Sequence, residues 1–244
     1  MSRGMQKLSV IIPVFNERQT VLAILERVAA VDLKLLGLET ELIVVDDGSR
    51  DGTREVLREA AAITPFRLHE APVNRGKGAA IRAGLELVTG DLVIIQDADL
   101  ELDPGEYPKL VRPILAGETR IVYGTRFAGR VAGVPLLSLW ANRFLTFLTN
   151  VLYGSRLTDM ETCYKVFRRE VIREIRLECQ RFEFEPEVTA KVLRLGHAIT
   201  EVPISFSPRS RAEGKKMRWR DGVQAIRSLL RYRFASRASL VKAP

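Results

Sequence analysis

Cysteines are scarce in this sequence and long apolar runs are absent, which limits what the chain can be. Its 244 residues include only Cys163 and Cys179, whose spacing fits neither a metal motif nor a disulfide framework. No window of about 18 uninterrupted apolar residues occurs, so we expect no transmembrane span. The first apolar stretch, Leu8–Phe15, is short, contains Pro13 and lacks a cleavage site of small residues, so we expect no signal peptide. These features predict a cytoplasmic protein.

Acidic residues are scarce near the C-terminus. The range 206–244 carries 11 Lys and Arg against 2 Asp and Glu, and the rest of the chain carries 27 against 28. The net charge of +8 therefore comes from this segment, which favours nucleic acid, an anionic membrane face or a phosphorylated substrate as partner. Basic motifs interleaved with aromatic residues are lacking, and so is a recognisable reading helix, so we set nucleic acid aside.

The most informative stretch is an apolar run that gives way to closely spaced carboxylates. Leu92–Ile95 has the composition of a buried parallel strand, and Asp97, Asp99, Glu101 and Asp103 follow it. Asp97 and Asp99 are two residues apart, so in extended chain they project to the same face. Such a pair suits Mg²⁺ or Mn²⁺, with substrate phosphates and water completing the coordination. A solvated acidic loop in front of a helix is the alternative.

Strands and helices alternate four times over the first 115 residues. The predicted strands are Leu8–Val14, Leu42–Val45, Phe66–His69 and Leu92–Ile95, and each is followed by a helical pattern. This order predicts an α/β fold with a mostly parallel sheet and right-handed crossovers. Ligands of such sheets bind beyond the carboxyl ends of the strands. Polar residues follow three of these ends, namely Asn16-Glu17, Asp46-Asp47 and Asp97-Asp99.

The helix boundaries follow from capping residues and stop signals. We expect Asn16 to cap the first helix, Asp51 the second, and Asp103 with Pro104 the fourth. In the second half we predict a helix over Glu185–Leu195 ended by Gly196, an edge strand within Ala198–Phe206, and a basic amphipathic helix over Trp219–Tyr232. The tail after Arg233 is expected to be poorly ordered.

A stripe of large apolar residues marks one further helix. It consists of Leu136, Trp140, Phe144, Phe147 and Val151, with Asn142, Arg143 and Asn150 between them. The spacing fits a helix that contributes to the core. It also fits a helix that lies in a membrane interface or shapes a lipid groove.

Eight blocks of sequence, taken in order, resemble the inverting family-2 glycosyltransferases with a GT-A fold. The closest subgroup resembles the dolichyl- or polyprenyl-phosphate hexosyltransferases, such as the dolichol-phosphate mannose synthases. The blocks are Val10–Glu17, Ile43–Thr53, Asn74–Gly84, Gly90–Pro104, Tyr123–Phe127, Thr158–Glu170, Phe182–Ala190 and Val202–Trp219. The resemblance implies a GT-A catalytic domain over residues 1–206. Residues 207–244 would form a basic loop, an amphipathic helix and a tail on the same domain.

The resemblance implies a donor site for a nucleotide-sugar. The residues that would bind the nucleoside part are Pro13, Phe15, Glu17, Val45 and Asp47. The family's Asp-x-Asp motif corresponds to Asp97, Ala98 and Asp99. With Glu101, these two aspartates would hold Mg²⁺ or Mn²⁺ on the donor diphosphate. Lys77 lies in a glycine-containing loop near the donor that lacks the spacing of an ATPase P-loop. Arg209 and Lys215 match a mobile loop that closes over the phosphates, and Arg211 is the alternative to Arg209 in another register.

The resemblance also implies a lipid-phosphate acceptor. Arg126 would be catalytic and contact phosphate, because a forked guanidinium pairs well with oxyanions. Residues expected near the acceptor phosphate are Asn142, Asp159, Lys165 and Arg168. The predicted reaction moves a hexose, mannose before glucose, from GDP-mannose or UDP-glucose to a dolichyl or polyprenyl phosphate. The enzyme would be peripheral on the cytoplasmic face of a membrane, held by its basic C-terminus and the 135–153 helix.

A soluble GT-A enzyme that glycosylates a sugar hydroxyl or another small acceptor is the alternative. A hydroxyl needs a carboxylate base, whereas a phosphate is already anionic near pH 7. Family members that glycosylate hydroxyls often carry a Glu-Asp pair, which Arg181–Glu187 lacks. Glu185 is the one candidate base on this reading, so the sequence favours the phosphate acceptor.

Overall fold

Seven strands form one sheet in the computed structural model, which describes residues 5–127, 133–209 and 219–242. They are β1 (Gln6–Val14), β2 (Leu38–Asp46), β3 (Arg67–Glu70), β4 (Leu92–Ile95), β5 (Ile121–Thr125), β6 (Lys165–Arg168) and β7 (Thr200–Pro203). Their order across the sheet is β3-β2-β1-β4-β6-β5-β7. β6 is antiparallel to β4 and β5, and the other neighbours are parallel. The predicted α/β fold with a mostly parallel sheet is confirmed.

Helices connect the strands and cover the sheet. They are α1 (Val21–Ala29), α2 (Thr53–Ala61), α3 (Lys77–Leu87), α4 (Tyr107–Leu115), α5 (Leu136–Tyr153), α6 (Arg169–Glu174), α7 (Phe184–Arg194), α8 (Trp219–Phe234) and α9 (Arg237–Leu240). Short 3₁₀ turns occupy Lys34–Leu36 and Pro104–Glu106. As predicted, the Asp103 carboxylate caps the turn before α4 by accepting the N–H of Gly105 at 3.0 Å.

The prediction that Asn16 caps α1 is wrong. The helix begins at Val21, and Asn16 lies in the preceding turn with a φ of 52°. Its side-chain oxygen accepts the N–H of Arg50 at 2.9 Å. Asn tolerates this left-handed conformation better than most residues, so the same residue type serves the turn rather than the helix.

The central strands are apolar on both faces because helices cover the sheet on both sides. Val10, Ile11 and Ile12 of β1 are fully buried, and so are Val44 and Val45 of β2. Complete burial of each such side chain stabilises the fold by about 1.5–3 kcal/mol. Continuous apolar runs are therefore what the inner strands of this sheet require.

The register of the strands places several chain segments at one edge of the sheet. Ile11 of β1 pairs with both Ile43 of β2 and Ile95 of β4, so these three strands end at a similar level. β5 runs in the same direction, because both it and β4 are antiparallel to β6. The segment that precedes the antiparallel β6 lies at this same edge. The last residue of β6, Arg168, pairs with Leu92 at the opposite edge.

The apolar stripe of α5 is exposed, so the interpretation of α5 as a core helix is wrong for that face. Trp140 is 68% exposed, Phe144 54% and Phe147 64%, and Leu136 and Val151 are also exposed. The opposite face of α5 provides the buried contacts, through Leu145 and Thr149. No helix among the described residues combines the length and the apolar character needed to cross a membrane.

The C-terminal residues pack on the rest of the protein, contrary to the expectation of a poorly ordered tail. Leu240 is fully buried, and its carbonyl accepts the N–H of Arg176 at 2.9 Å. The N–H of Lys242 donates to the carbonyl of Glu174 at 2.8 Å. The buried Leu240 and these backbone hydrogen bonds hold the tail against the end of α6.

Candidate functional site

A cavity of about 740 Å³ opens where the parallel strands end. Eleven of the predicted site residues line it, namely Pro13, Phe15, Glu17, Asp47, Lys77, Asp97, Ala98, Asp99, Glu101, Arg126 and Arg209. Val45 does not line the cavity and is fully buried within β2. Lys215 lies outside the described residues. The fold therefore brings most of the predicted donor and metal positions to one place.

Asp47 holds the loop that forms one wall of this cavity. One oxygen of its carboxylate accepts the N–H of Arg75 at 2.9 Å and the other accepts that of Gly76 at 2.6 Å. Burial raises the pKa of Asp47 above its usual value, although these two hydrogen bonds favour the charged form. Through these hydrogen bonds Asp47 holds the loop in its conformation. The predicted contact of Asp47 with a nucleoside stays a prediction.

The same loop approaches the turn after β2 so closely that Gly48 has no room for a side chain. Gly48 has a φ of 75°, and a Cβ there would lie 2.6 Å from the nitrogen of Asn74 and 2.7 Å from the carbonyl carbon of Val73. Gly37 has a similar φ of 70°, with nothing within 4 Å of such a Cβ. These two glycines form a matched pair that differs in available space.

We expect Gly48→Ala to destabilise the protein more than Gly37→Ala, as measured by urea unfolding. Gly37→Ala adds the cost of a left-handed conformation, about 1–2 kcal/mol. Gly48→Ala adds a further penalty of about 1–3 kcal/mol, because the backbone of Val73 and Asn74 must move. Equal losses of unfolding free energy in the two variants would contradict this close approach.

Lys77 joins two acidic residues on the cavity wall. Its ammonium lies 2.8 Å from Asp97 Oδ1 and 2.8 Å from Glu185 Oε1. Burial opposes ionisation of Asp97, but the charge and the hydrogen bond of Lys77 prevail and lower the pKa of that carboxyl. Asp97 is therefore ionised and held in place by a buried cation at the first residue of α3.

Arg209 pairs with the second group of acidic residues. Its guanidinium lies 3.3 Å from Asp99 Oδ2 and donates to both oxygens of Glu17, at 3.1 and 3.2 Å. Its backbone N–H donates to Glu101 Oε1 at 2.8 Å. Leu100, with a φ of 63°, turns the chain so that Asp99 and Glu101 both reach the cavity. The segment after β7 is thereby fastened over the end of β4.

Arg126 also lines the cavity and is held in place by Asp159. Asp159, which is fully buried, accepts from Arg126 Nε at 2.7 Å, from Nη2 at 2.8 Å and from the backbone N–H at 3.0 Å. The rings of Phe127 and Phe206 lie 5.4 and 5.1 Å from the guanidinium carbon. A bidentate pair between two aromatic rings fixes the direction of a guanidinium, which prepares it to bind an anion.

The structure does not place the other predicted acceptor residues in the cavity. Lys165 is fully buried, with its ammonium bonded to the carbonyls of Met160 and Thr162, and its pKa is lowered to about 8 by burial. Arg168 donates to the carbonyl of Ile114 at the opposite edge of the sheet. The prediction that Arg168 lies near the acceptor phosphate is therefore wrong. The antiparallel direction of β6 is the reason, because it carries Arg168 away from the cavity.

Asn142 does not line the cavity and lies one helical turn before Thr146, the α5 residue that contacts the segment preceding β6. Its side-chain oxygen accepts from Thr146 Oγ1 at 3.4 Å, and Thr146 Oγ1 accepts the N–H of Met160 at 3.1 Å. Asn142 therefore supports the segment that carries Asp159. Its contact with an acceptor stays a prediction.

The cavity residues that were not singled out from the sequence include Glu161, Arg181, Phe182 and Phe206. Glu161 lies two residues after Asp159, in the segment before β6. Because β6 is antiparallel, the segment before it lies at the ligand-binding edge of the sheet. The alternation of strands and helices over the first 115 residues does not predict such a strand. The signal that would have identified Glu161 is an antiparallel strand next to β4, the strand that the acidic residues follow.

The acidic end of the cavity has the donor chemistry of a site for a divalent cation. Burial, together with the charges of Asp97 and Glu101, raises the pKa of Asp99 to about 7. A cation would relieve this crowding of negative charge. Among the described residues, no three His, Cys, Asp or Glu side chains form a complete metal-binding group. Mg²⁺ commonly takes one or two carboxylate ligands from protein and the rest from phosphate and water, and the oxygens of Asp99 and Glu101 on the cavity wall suit such an ion.

The sequence matches the family model described as Glycosyl transferase family 2 over residues 9–176. It is 34% identical over 210 residues to the undecaprenyl-phosphate 4-deoxy-4-formamido-L-arabinose transferase of Aeromonas hydrophila subsp. hydrophila, covering 85% of this chain and 62% of that protein. The transferase of the same name from Photorhabdus laumondii subsp. laumondii is 36% identical over 184 residues, covering 74% and 55%. The chain therefore spans less than two thirds of these relatives.

Two solved structures share the fold. One is glucosyl-3-phosphoglycerate synthase from Mycobacterium tuberculosis with UDP, with a TM-score of 0.72 and 23% identity over 93% of this chain and 80% of that one. The same enzyme with Mn²⁺, UDP and phosphoglyceric acid gives a TM-score of 0.70 and 24% identity, over 95% and 80%. These similarities confirm the GT-A fold that the sequence predicted.

Proposed function

Because this chain belongs to glycosyl transferase family 2, we propose that it transfers a sugar from a nucleotide-sugar to a polyprenyl phosphate, with inversion at the anomeric carbon. The names of the relatives from Aeromonas and Photorhabdus support a polyprenyl-phosphate acceptor. They also name 4-deoxy-4-formamido-L-arabinose, a sugar other than the mannose or glucose predicted here. The donors to compare are therefore GDP-mannose, UDP-glucose and a nucleotide-linked 4-deoxy-4-formamido-L-arabinose.

One observation carries the proposal, namely two sites for anions in a single cavity. The carboxylates Asp97, Asp99 and Glu101 occupy one side, where a divalent cation would bind the donor diphosphate. The guanidinium of Arg126, fixed by Asp159, lines the same cavity. A reaction between a diphosphate-linked sugar and a second phosphate needs both sites.

The residues of the chain would divide the work between donor and acceptor. Arg126 binds the acceptor phosphate and orients one of its oxygens toward the anomeric carbon, from which the nucleoside diphosphate departs. Asp99 and Glu101 would hold Mg²⁺ or Mn²⁺, which would supply positive charge against the charge that develops on the leaving diphosphate. Lys77 keeps Asp97 ionised, and Arg209 keeps the segment after β7 over the donor. No strong base is needed, because the acceptor phosphate is an anion near pH 7.

The experiment is a transfer assay with each radiolabelled donor, a short polyprenyl phosphate, and Mg²⁺ or Mn²⁺. We expect label to move into the organic phase with one of the donors. Donor hydrolysis without a lipid product would contradict the proposed acceptor. Label on an added sugar or on 3-phosphoglycerate would support the alternative, a small-acceptor enzyme, for which the unpaired carboxyl of Glu161 in the cavity provides a candidate base.

We further propose that α5 and α8 hold the enzyme on an anionic membrane. The exposed stripe of α5 offers Trp140, Phe144 and Phe147 to an apolar phase. The two helices touch, since the Tyr153 hydroxyl of α5 donates to the carbonyl of Leu229 in α8. On α8, Arg227 and other arginines are exposed, and each basic residue near an anionic surface contributes about 1 kcal/mol.

We expect the double substitution Trp140→Ser and Phe144→Ser to weaken binding to phosphatidylglycerol-containing vesicles at least tenfold in a sedimentation assay. The reason is that burying each large apolar side chain is worth about 1.5–3 kcal/mol. Leu35, which is 94% exposed and lies outside α5 and α8, provides the control Leu35→Ser. Equal vesicle binding by the double variant and the control would refute this membrane surface.

A further inference from the structure

Glu161 is an acidic residue on the cavity wall that has no role in the proposed transfer to a phosphate. It lines the cavity, and its Oε1 is buried without a hydrogen-bond partner. Neither of its oxygens forms a hydrogen bond or an ion pair with a described residue. Its neighbours in sequence, by contrast, are engaged, since Asp159 holds Arg126 and the Met160 N–H donates to Thr146.

The other acidic residues that line the cavity all have partners. Glu17, Asp99 and Glu101 contact Arg209, Asp97 and Glu185 contact Lys77, and Asp47 accepts two backbone N–H groups. A buried polar group without a partner lowers the stability of a folded protein and calls for an explanation. Burial, with the charge of Glu185, raises the pKa of Glu161 to about 8, although the charges of Lys165 and Arg126 oppose this shift.

The position of Glu161 indicates what would supply the missing partner. Arg126 and Glu185 are among the charged groups that act on it. In the proposed reaction the transferred sugar must lie between the diphosphate end of the cavity, at Asp99, and the acceptor phosphate on Arg126. Glu161 lines the same cavity as Asp99 and Arg126, and one of its carboxyl oxygens has no partner there.

We propose that Glu161 hydrogen-bonds a hydroxyl or N–H group of the transferred sugar and thereby selects the donor. This inference rests on the proposed function for the location of the sugar. An ionised carboxylate accepts from a hydroxyl, and a protonated carboxyl donates to one, so the contact forms in either state. A site built around such a hydrogen bond discriminates strongly against a sugar that lacks the group, because the buried carboxyl is then left unpaired.

The first test measures affinity without any acceptor, so it stays valid if the proposed acceptor is wrong. Isothermal titration calorimetry would compare GDP-mannose with GDP and UDP-glucose with UDP, for the wild type, Glu161→Leu and Glu161→Gln. We expect the affinity that the sugar adds to its nucleotide to fall at least tenfold in Glu161→Leu and to be largely retained in Glu161→Gln. Glu118→Leu, at an exposed acidic position, is the control and should match the wild type. An unchanged contribution of the sugar in Glu161→Leu would overturn the proposal.

A second test separates recognition from a structural role and from base catalysis. Thermal unfolding without ligand should give Glu161→Leu a melting temperature equal to or above that of the wild type, because an unpaired carboxyl is removed. A clear fall in melting temperature would instead make Glu161 a structural residue. In the transfer assay, Glu161→Gln should retain kcat within about tenfold. A loss of kcat as large as that of Glu161→Leu, with a pH profile that loses one ionisation, would make Glu161 a general base and overturn the recognition role.

Discussion

Asp99→Asn is expected to lower kcat/KM for sugar transfer by about 10³-fold, since electrostatic stabilisation of developing charge is usually the largest catalytic contribution. A neutral amide is a weaker ligand for Mg²⁺ or Mn²⁺ than a carboxylate, so the leaving diphosphate would depart with less of its charge compensated. The substitution keeps the size of the side chain. The Leu100 turn and the segment after β7 should therefore keep their places, and the loss should appear in the transfer assay rather than in the fold.

Asp103→Asn is the matched control, because Asp103 is an exposed aspartate four residues further along the same segment. It caps the turn at Pro104 and does not line the cavity. We expect its transfer rate to stay within about threefold of the wild type, as is usual for surface changes away from a site. Similar losses of kcat/KM in the two variants would contradict the metal role assigned to Asp99.

The pH dependence of unfolding gives an independent readout of the acidic crowding at Asp99. Its pKa of about 7 in the folded protein lies above the ordinary value of 3.8, so between these values the folded state binds more protons than the unfolded state. This residue therefore makes the metal-free protein more stable as the pH falls from about 7 toward 4. Asp99→Asn should reduce that gain in unfolding free energy, measured with urea at several pH values.

Asp159→Ala is expected to lower the free energy of unfolding by about 3–5 kcal/mol, which is typical when one partner of a buried ion pair is removed. Arg126 would lose the bonds of its Nε, its Nη2 and its backbone N–H. It would then be a largely buried cation without a partner. Urea unfolding measures the loss, and the transfer assay should show a raised KM for the polyprenyl phosphate.

The control for this prediction is an exposed ion pair of the same protein. Arg120 and Glu170 lie 3.2 Å apart with more than half of each side chain exposed. Glu170→Ala should lower the free energy of unfolding by no more than about 1 kcal/mol. If Asp159→Ala cost as little as Glu170→Ala, Arg126 would not depend on Asp159 for its position, and the fixed anion site would be refuted.

The sequence predicted the acidic half of the site well, because local pattern and sheet topology agree there. An apolar strand that is followed by Asp97 and Asp99 predicts both the burial of the strand and the edge of the sheet at which these carboxylates lie. The partners of these carboxylates come from distant segments. Lys77 begins α3 and Arg209 follows β7, so their pairing with Asp97 and Asp99 depends on tertiary structure that periodicity does not report.

The acceptor half was harder to predict because one strand runs against the others. Arg168 and Asp159 are nine residues apart, and the direction of β6 decides which of them lies at the cavity edge of the sheet, where Asp159 holds Arg126. The apolar stripe of α5 presents a similar ambiguity, since a 3.6-residue period marks one face of a helix without saying what covers it. Trp140 and Phe144 are exposed, so the described protein does not cover this face of α5. The face is therefore available to a membrane.

The measurement that tests the central claim most directly is the structure of the reaction product by NMR. The lipid product formed with a donor of known anomeric configuration would be isolated and its ³¹P and ¹H spectra recorded. We predict one phosphodiester signal, with coupling from phosphorus to the anomeric proton and with the configuration opposite to that of the donor. A sugar joined to a hydroxyl oxygen, or an anomeric configuration equal to that of the donor, would contradict inverting transfer to a phosphate.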